Sequence, residues 1–83
     1  MRPLRVLVVD DDPDTCRFLQ AVFGAEGHQC DAFLCASDAE HHLRNNRADL
    51  ALVDVYLGAD NGVDLVQRFR ELQPDLHAVV MTA

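Results

Sequence analysis

A chain of 83 residues implies one small domain, and its composition, 49% hydrophobic and 25% charged, excludes a disordered or low-complexity segment. The formal net charge of −7 argues against a basic surface that grips nucleic acid or anionic lipid, and no apolar stretch reaches membrane-spanning length. The odd set Cys16, Cys30 and Cys35 has no disulfide-framework spacing, which fits a reducing, cytoplasmic setting. Cys30 and Cys35 lie near His28, His41 and His42, but that spacing matches no common zinc motif.

The elements alternate strand and helix. The run Val6-Leu7-Val8-Val9, rich in β-branched residues, reads as a strand buried on both faces. Asp12-Pro13-Asp14 then supplies an N-cap, a proline at the first helical position and an acid in the first turn. Phe18, Leu19, Val22 and Phe23 fall at helical spacing and predict one apolar face, with Gly24 and Gly27 to stop the helix. Residues 29–34 predict a short, half-polar strand at an edge. Ser37-Asp38-Ala39-Glu40 has the form of a capping box that opens a helix through about Leu43, broken by Asn45-Asn46.

A third strand is expected from about Asp49 to Val55. Residues 58–62 read as a glycine-containing loop. Leu65, Val66, Phe69 and Leu72 predict a third amphipathic helix, which Gln73-Pro74-Asp75 ends. Leu76 to Thr82 predict a fourth strand. The order β-α-β-α-β-α-β points to a doubly wound α/β domain with a parallel sheet and right-handed crossovers.

Acids stand where two buried-type strands end: Asp10-Asp11-Asp12 after the first and Asp54 after the third. Open parallel sheets bind ligands at the carboxyl ends of their strands. Neighbouring strands would gather Asp10, Asp11 and Asp54 into one cleft, where mutual repulsion calls for a cation, a proton or a catalytic use. The plainer alternatives are helix capping for the first cluster and a turn-starting acid for Asp54. Asp12 is read as the cap alone. Cys16 is read as packing, and His77 with the His41-His42 pair as solvated surface.

Three segments together, Val8-Val9-Asp10-Asp11-Asp12-Pro13, Leu52-Val53-Asp54-Val55-Tyr56-Leu57 with Asn61-Gly62, and Val79-Val80-Met81-Thr82-Ala83, resemble the receiver domain of bacterial two-component response regulators. The likeness runs from Leu4 to Ala83. It implies a flavodoxin-like sheet in the order 2-1-3-4-5, and a phosphorylation switch that is not a turnover enzyme. Asp54 would be the phosphoacceptor for a sensor histidine kinase or phosphotransfer protein. Asp10, Asp11, Asp54 and the Tyr56 backbone carbonyl would hold Mg²⁺. Thr82 would hydrogen-bond the phosphoryl group through its hydroxyl, and Ala83 through its amide.

The chain departs from the family pattern in two ways. Gly58 stands where a proline is usual and Asp60 where an apolar residue is usual, changes expected to loosen that loop and to add charge at its mouth. All seven cationic side chains are arginines, so the lysine that a receiver carries on a fifth strand has no counterpart here. Residues 1–83 are therefore expected to be the amino-terminal portion of a receiver, cut after its fourth strand, and to self-associate through the sheet surface that such a cut exposes. A haloacid-dehalogenase-type hydrolase is the competing reading of an aspartate after a parallel strand, but it needs an acid two positions on, where this chain has Tyr56.

Overall fold

Each apolar run read as a strand forms one, and in the breaks after the first and third of them Asp12 and Asn61 cap the helices that follow. A computed structural model describes residues 2–57 and 60–81, without the Asp60 side chain. In chain order it gives β1 (Arg5–Val9), α1 (Pro13–Ala25), β2 (Gln29–Phe33), α2 (Ala36–Asn45), β3 (Leu50–Asp54), β4 (Tyr56–Leu57), β5 (Asp60–Asn61), α3 (Gly62–Leu72) and β6 (His77–Met81). The main sheet has the order β2-β1-β3-β6, all parallel, as the flavodoxin-like reading requires; β6 is the fourth expected strand.

Alternation along the strands separates two cores. Leu7, Val9, Ala51 and Val53 face α2 and α3, meeting Ala39, Leu43, Leu65 and Phe69. Val6 and Val8 face α1, with Cys16, Leu19 and Phe23 packed around them. The path moves outward from β1 to β2 and back across to β3 and β6, and the connecting helices change face at the same point. Crossovers of a single hand demand that change. Between β1 and β3 the strand order therefore reverses, which is where such sheets open a crevice at their carboxyl ends.

Several local expectations are met. Asp12 caps α1, its carboxylate accepting from the Asp14 N–H at 3.0 Å and the Thr15 hydroxyl at 3.1 Å. Helix α1 runs through Gly24 to Ala25, and Gly27, just past its cap Glu26, has a φ of +84° in the left-handed region. The Gly27 N–H then donates to the Gly24 carbonyl at 3.1 Å and the His28 N–H to Phe23 at 2.9 Å, a Schellman closure.

Other expectations are corrected. Ser37 is not the cap of α2: the helix starts at Ala36, Cys35 occupies the cap position without a side-chain bond to the helix backbone, and Glu40 instead pairs with Arg68 of α3 at 2.6 Å. Phe18 and Val22 are exposed, because α1 turns Cys16, Leu19 and Phe23 toward the sheet and leaves those two on its flank. Leu34 and Leu72 are exposed as well. His42 is no solvated residue: its ring lies 5.0 Å from that of Phe33 and its Nε2 3.6 Å from Asp31 Oδ2. His41 and His77 are exposed as expected. Of the stretch 58–62 read as a loop, Asp60 and Asn61 instead pair antiparallel with Leu57 and Tyr56, and Gly62 opens α3. The expectations for Gly58 and for the Asp60 side chain lie outside the described residues.

Candidate functional site

The site follows from register. Val9 of β1 pairs with Val53 of β3, so the residues that follow them, Asp10 and Asp54, leave the sheet side by side. Asp10, Asp11 and Asp54 each present a carboxylate oxygen, and the three oxygens lie within 4.8 Å of one another. Like charges that close repel by about 1 kcal/mol per pair in water and about 3 at the dielectric of a protein surface.

Asp10 is the most enclosed of the three, with 8% of its surface exposed. Its N–H donates to the Phe33 carbonyl at 3.1 Å, extending the β1–β2 ladder by one residue. Its Oδ1 accepts the Asp12 N–H at 2.9 Å, and its carbonyl accepts the Cys16 thiol at 3.3 Å. Burial raises the Asp10 carboxyl above its ordinary range; the Asp12 N–H pulls it back, and the charges of Asp54, Asp11 and Asp12 push it up again. A bound cation reverses that balance and keeps the group ionised.

Asp54 is half-buried, and its Oδ1 accepts the Tyr56 N–H at 3.1 Å, so the backbone just beyond β3 folds against the carboxylate. The intervening Val55 is held through both of its backbone groups. Its N–H donates to the Met81 carbonyl at 3.0 Å, and its own carbonyl accepts the Gly62 N–H at 3.1 Å. Asn61 caps α3 by accepting the Val63 N–H at 2.8 Å. The Tyr56 side chain is 76% exposed at the mouth of the site.

Three hard carboxylate oxygens at this range are the donor set that Mg²⁺ or Ca²⁺ prefers, and unsuited to the softer zinc ligation considered for the cysteines. Among the described residues no other group of three or more acids, histidines or cysteines is close enough to hold a metal. Burial pushes the Cys30 thiol up to about 11, with Asp31 adding to it, and burial also raises Cys16. Both are therefore protonated packing thiols at neutral pH.

Of the residues singled out in the sequence, Asp10, Asp11 and Asp54 come together, and Tyr56 meets Asp54 through its N–H rather than through the carbonyl expected to hold the metal. Thr82 and Ala83 lie outside the described residues; Met81, just before them, sits opposite Asp54 in the β3–β6 register. Sequence reasoning missed the close approach of Gly62, which reads as part of a loop, to the Asp54 backbone, and the thiol bond from Cys16 to Asp10.

A family model for the response regulator receiver domain matches residues 6–83. The virulence transcriptional regulatory protein PhoP of Salmonella typhimurium is 35% identical over 80 residues, which is 96% of this chain and 36% of that protein. The chain thus spans about a third of the length of the curated relatives it matches. Among solved structures, a CheY-like response regulator receiver domain protein from Methanospirillum hungatei has a TM-score of 0.92 at 25% identity, covering 98% of this chain and 65% of that one. A response regulator from Burkholderia pseudomallei, solved with a phosphorylated aspartic acid, a calcium ion and citrate, has a TM-score of 0.90 at 25% identity, covering 95% of this chain and 46% of that one.

Proposed function

This chain belongs to the response regulator receiver domain family, and from that membership we propose that Asp54 accepts a phosphoryl group from the phosphohistidine of a sensor kinase or phosphotransfer protein. The observation that carries the reading is the approach of the Asp10, Asp11 and Asp54 carboxylates to within 4.8 Å at the point where the strand order reverses. In the transfer, an Asp54 oxygen forms a bond to phosphorus while the bond from phosphorus to the donor imidazole nitrogen breaks, its electron pair staying on the ring. Asp10, Asp11, Asp54 and the Tyr56 carbonyl would hold Mg²⁺, with Asp10 acting through water. Bound there, the ion neutralises negative charge on the transferring oxygens.

The protein's own part is to aim the nucleophile. Asp54 is half-buried and its Oδ1 is held by the Tyr56 N–H, which fixes the carboxylate before the donor arrives. The Thr82 hydroxyl and the Ala83 amide, which follow Met81 in the sequence, would donate to phosphoryl oxygens. The chain acts as a switch for an output carried elsewhere, not as a turnover enzyme. A cytoplasmic location belongs to the same reading; among the described residues no helix is long and apolar enough to cross a membrane.

Incubation with Mg²⁺ and acetyl phosphate tests the chemistry. The expected product is an acid-stable, base-labile adduct on Asp54, absent from Asp54→Asn. A phosphoryl group on any other residue, or none on Asp54 in a receiver of full family length carrying this sequence, contradicts it.

Self-association of the 83-residue chain is part of the proposal. Among the described residues β6 pairs only with β3, Val79 on it is 49% exposed, and Phe18 on the flank of α1 is 65% exposed. Apolar area left in water favours re-burial by roughly 25 cal/mol per Å². Sedimentation across micromolar concentrations is expected to show a dimer or larger assembly, and a monomer throughout refutes this part.

A further inference from the structure

We propose that Gly62 is a positioning residue for the acidic site, its bare α-carbon letting the first turn of α3 seat against the backbone that carries Asp54. The inference rests on the reading of Asp10, Asp11 and Asp54 as a cation site. Gly62 is buried, and its N–H reaches the Val55 carbonyl at 3.1 Å. A β-carbon there would fall on the Asp54 carbonyl oxygen, 2.9 Å from Val55 Cα and 3.0 Å from the Asp54 carbonyl carbon. All three are backbone atoms, so no side chain can rotate aside to make room.

One of the two segments must then move. Helix α3 is fixed by Leu65 and Phe69, both fully buried, and by the Asn61 cap. The segment at residues 54–56 is tied to β6 by backbone pairing but packs its side chains less, with Asp54 and Val55 half-buried and Tyr56 exposed. The strain therefore falls on the Asp54 backbone. Displacing it breaks the hydrogen bond from Gly62 to Val55 and carries the Asp54 carboxylate away from Asp10 and Asp11. By contrast, a β-carbon at Gly24, within α1, meets nothing within 4 Å.

Tyr56 gives a direct readout, since the chain has one tyrosine and no tryptophan. Mg²⁺ affinity is measured on the metal-free chain from Tyr56 emission and by calorimetry, beside urea unfolding, for wild type, Gly62→Ala, Gly24→Ala and Val66→Ala. Val66 packs half-buried against the core from the same helix, so its truncation loosens α3 without adding an atom at Asp54. Gly62→Ala is expected to weaken Mg²⁺ binding by about 10- to 100-fold, the range for losing support behind metal ligands. Gly24→Ala and Val66→Ala are expected to keep wild-type affinity. Should Gly62→Ala lose its helical signal in buffer, the four chains are compared in a stabilising osmolyte, where the same ratios apply. Unchanged affinity in Gly62→Ala, or an equal loss in Val66→Ala, overturns the positioning role. A wild-type chain that takes up no Mg²⁺ overturns the cation site itself, and the positioning role with it.

Discussion

Replacing Gln73 with alanine is expected to cost about 2–4 kcal/mol of stability, far more than its place at the end of a helix suggests. Its Oε1 accepts the Ala48 N–H at 3.0 Å, and its Nε2 donates to the Leu43 carbonyl at 2.8 Å and the Asn46 carbonyl at 2.7 Å. One side chain thus ties the end of α3 to the end of α2 and to the approach to β3. Ala48 is buried, and stranding its N–H carries a desolvation penalty of about 1–3 kcal/mol. The part-buried Leu43 bond adds about 1 kcal/mol, while the exposed Asn46 carbonyl can turn to water and adds little. Backbone bonds at the same position, from the Gln73 N–H to Phe69 and from the Leu76 N–H to Gln73, survive the change. For a chain of 83 residues a total stability of about 4–12 kcal/mol is typical, so the loss is a large share. Urea unfolding followed by far-UV circular dichroism, at one fixed protein concentration so that any association affects every variant alike, measures it. Gln20→Ala is the matched control: Gln20 makes a single exposed bond to the Cys30 carbonyl at 3.2 Å and is expected to cost under about 1 kcal/mol. If the two variants unfold at the same midpoint, the reasoning about burial fails.

Asp10→Asn tests the electrostatics of the site. The folded Asp10 carboxyl lies above its ordinary range, so its contribution favours the fold at acid pH, below that ordinary range, and is lost as pH rises through the folded value. Metal-free Asp10→Asn is therefore expected to exceed wild type in stability at pH 7, by on the order of 1 kcal/mol, because it removes a buried charge and its repulsion by Asp54, Asp11 and Asp12, with the gap closing toward pH 4. A gap that widens on acidification would reverse the sign argued here. Asp12→Ala is expected to lose about 1 kcal/mol of helix capping while keeping Mg²⁺ affinity, because Asp12 caps α1 and lies outside the cluster of three carboxylates. Ser37→Ala is expected to leave the urea midpoint nearly unchanged, within about 0.5 kcal/mol, since Cys35 holds the cap position of α2.

The acids of the site were readable in the sequence because each ends an uninterrupted apolar run, and a parallel strand leaves its last residue at the ligand-binding rim. Sheet order came with the family resemblance and with the alternation of strand and helix. Other features depend on what a residue meets across the fold. Gly62 looked like part of a loop until α3 was seated on Asp54. Gln73 looked like a helix terminator until α2 and Ala48 were beside it. Ser37 and Glu40 had the spacing of a capping box, but Glu40 found Arg68 on the neighbouring helix. Phe18 and Val22 fit the helical period of α1, yet period alone does not say how wide a stripe the sheet will cover.

The most direct test of the central claim locates the ion itself. In the amide spectrum of the metal-free chain, substoichiometric Mn²⁺ is expected to broaden the signals of residues 10–12 and 54–56 first, and excess Mg²⁺ to restore them. Broadening that begins elsewhere, such as around Asp38 and His41, or that Mg²⁺ does not reverse, would mean that these three carboxylates do not form the cation site on which the phosphotransfer reading depends.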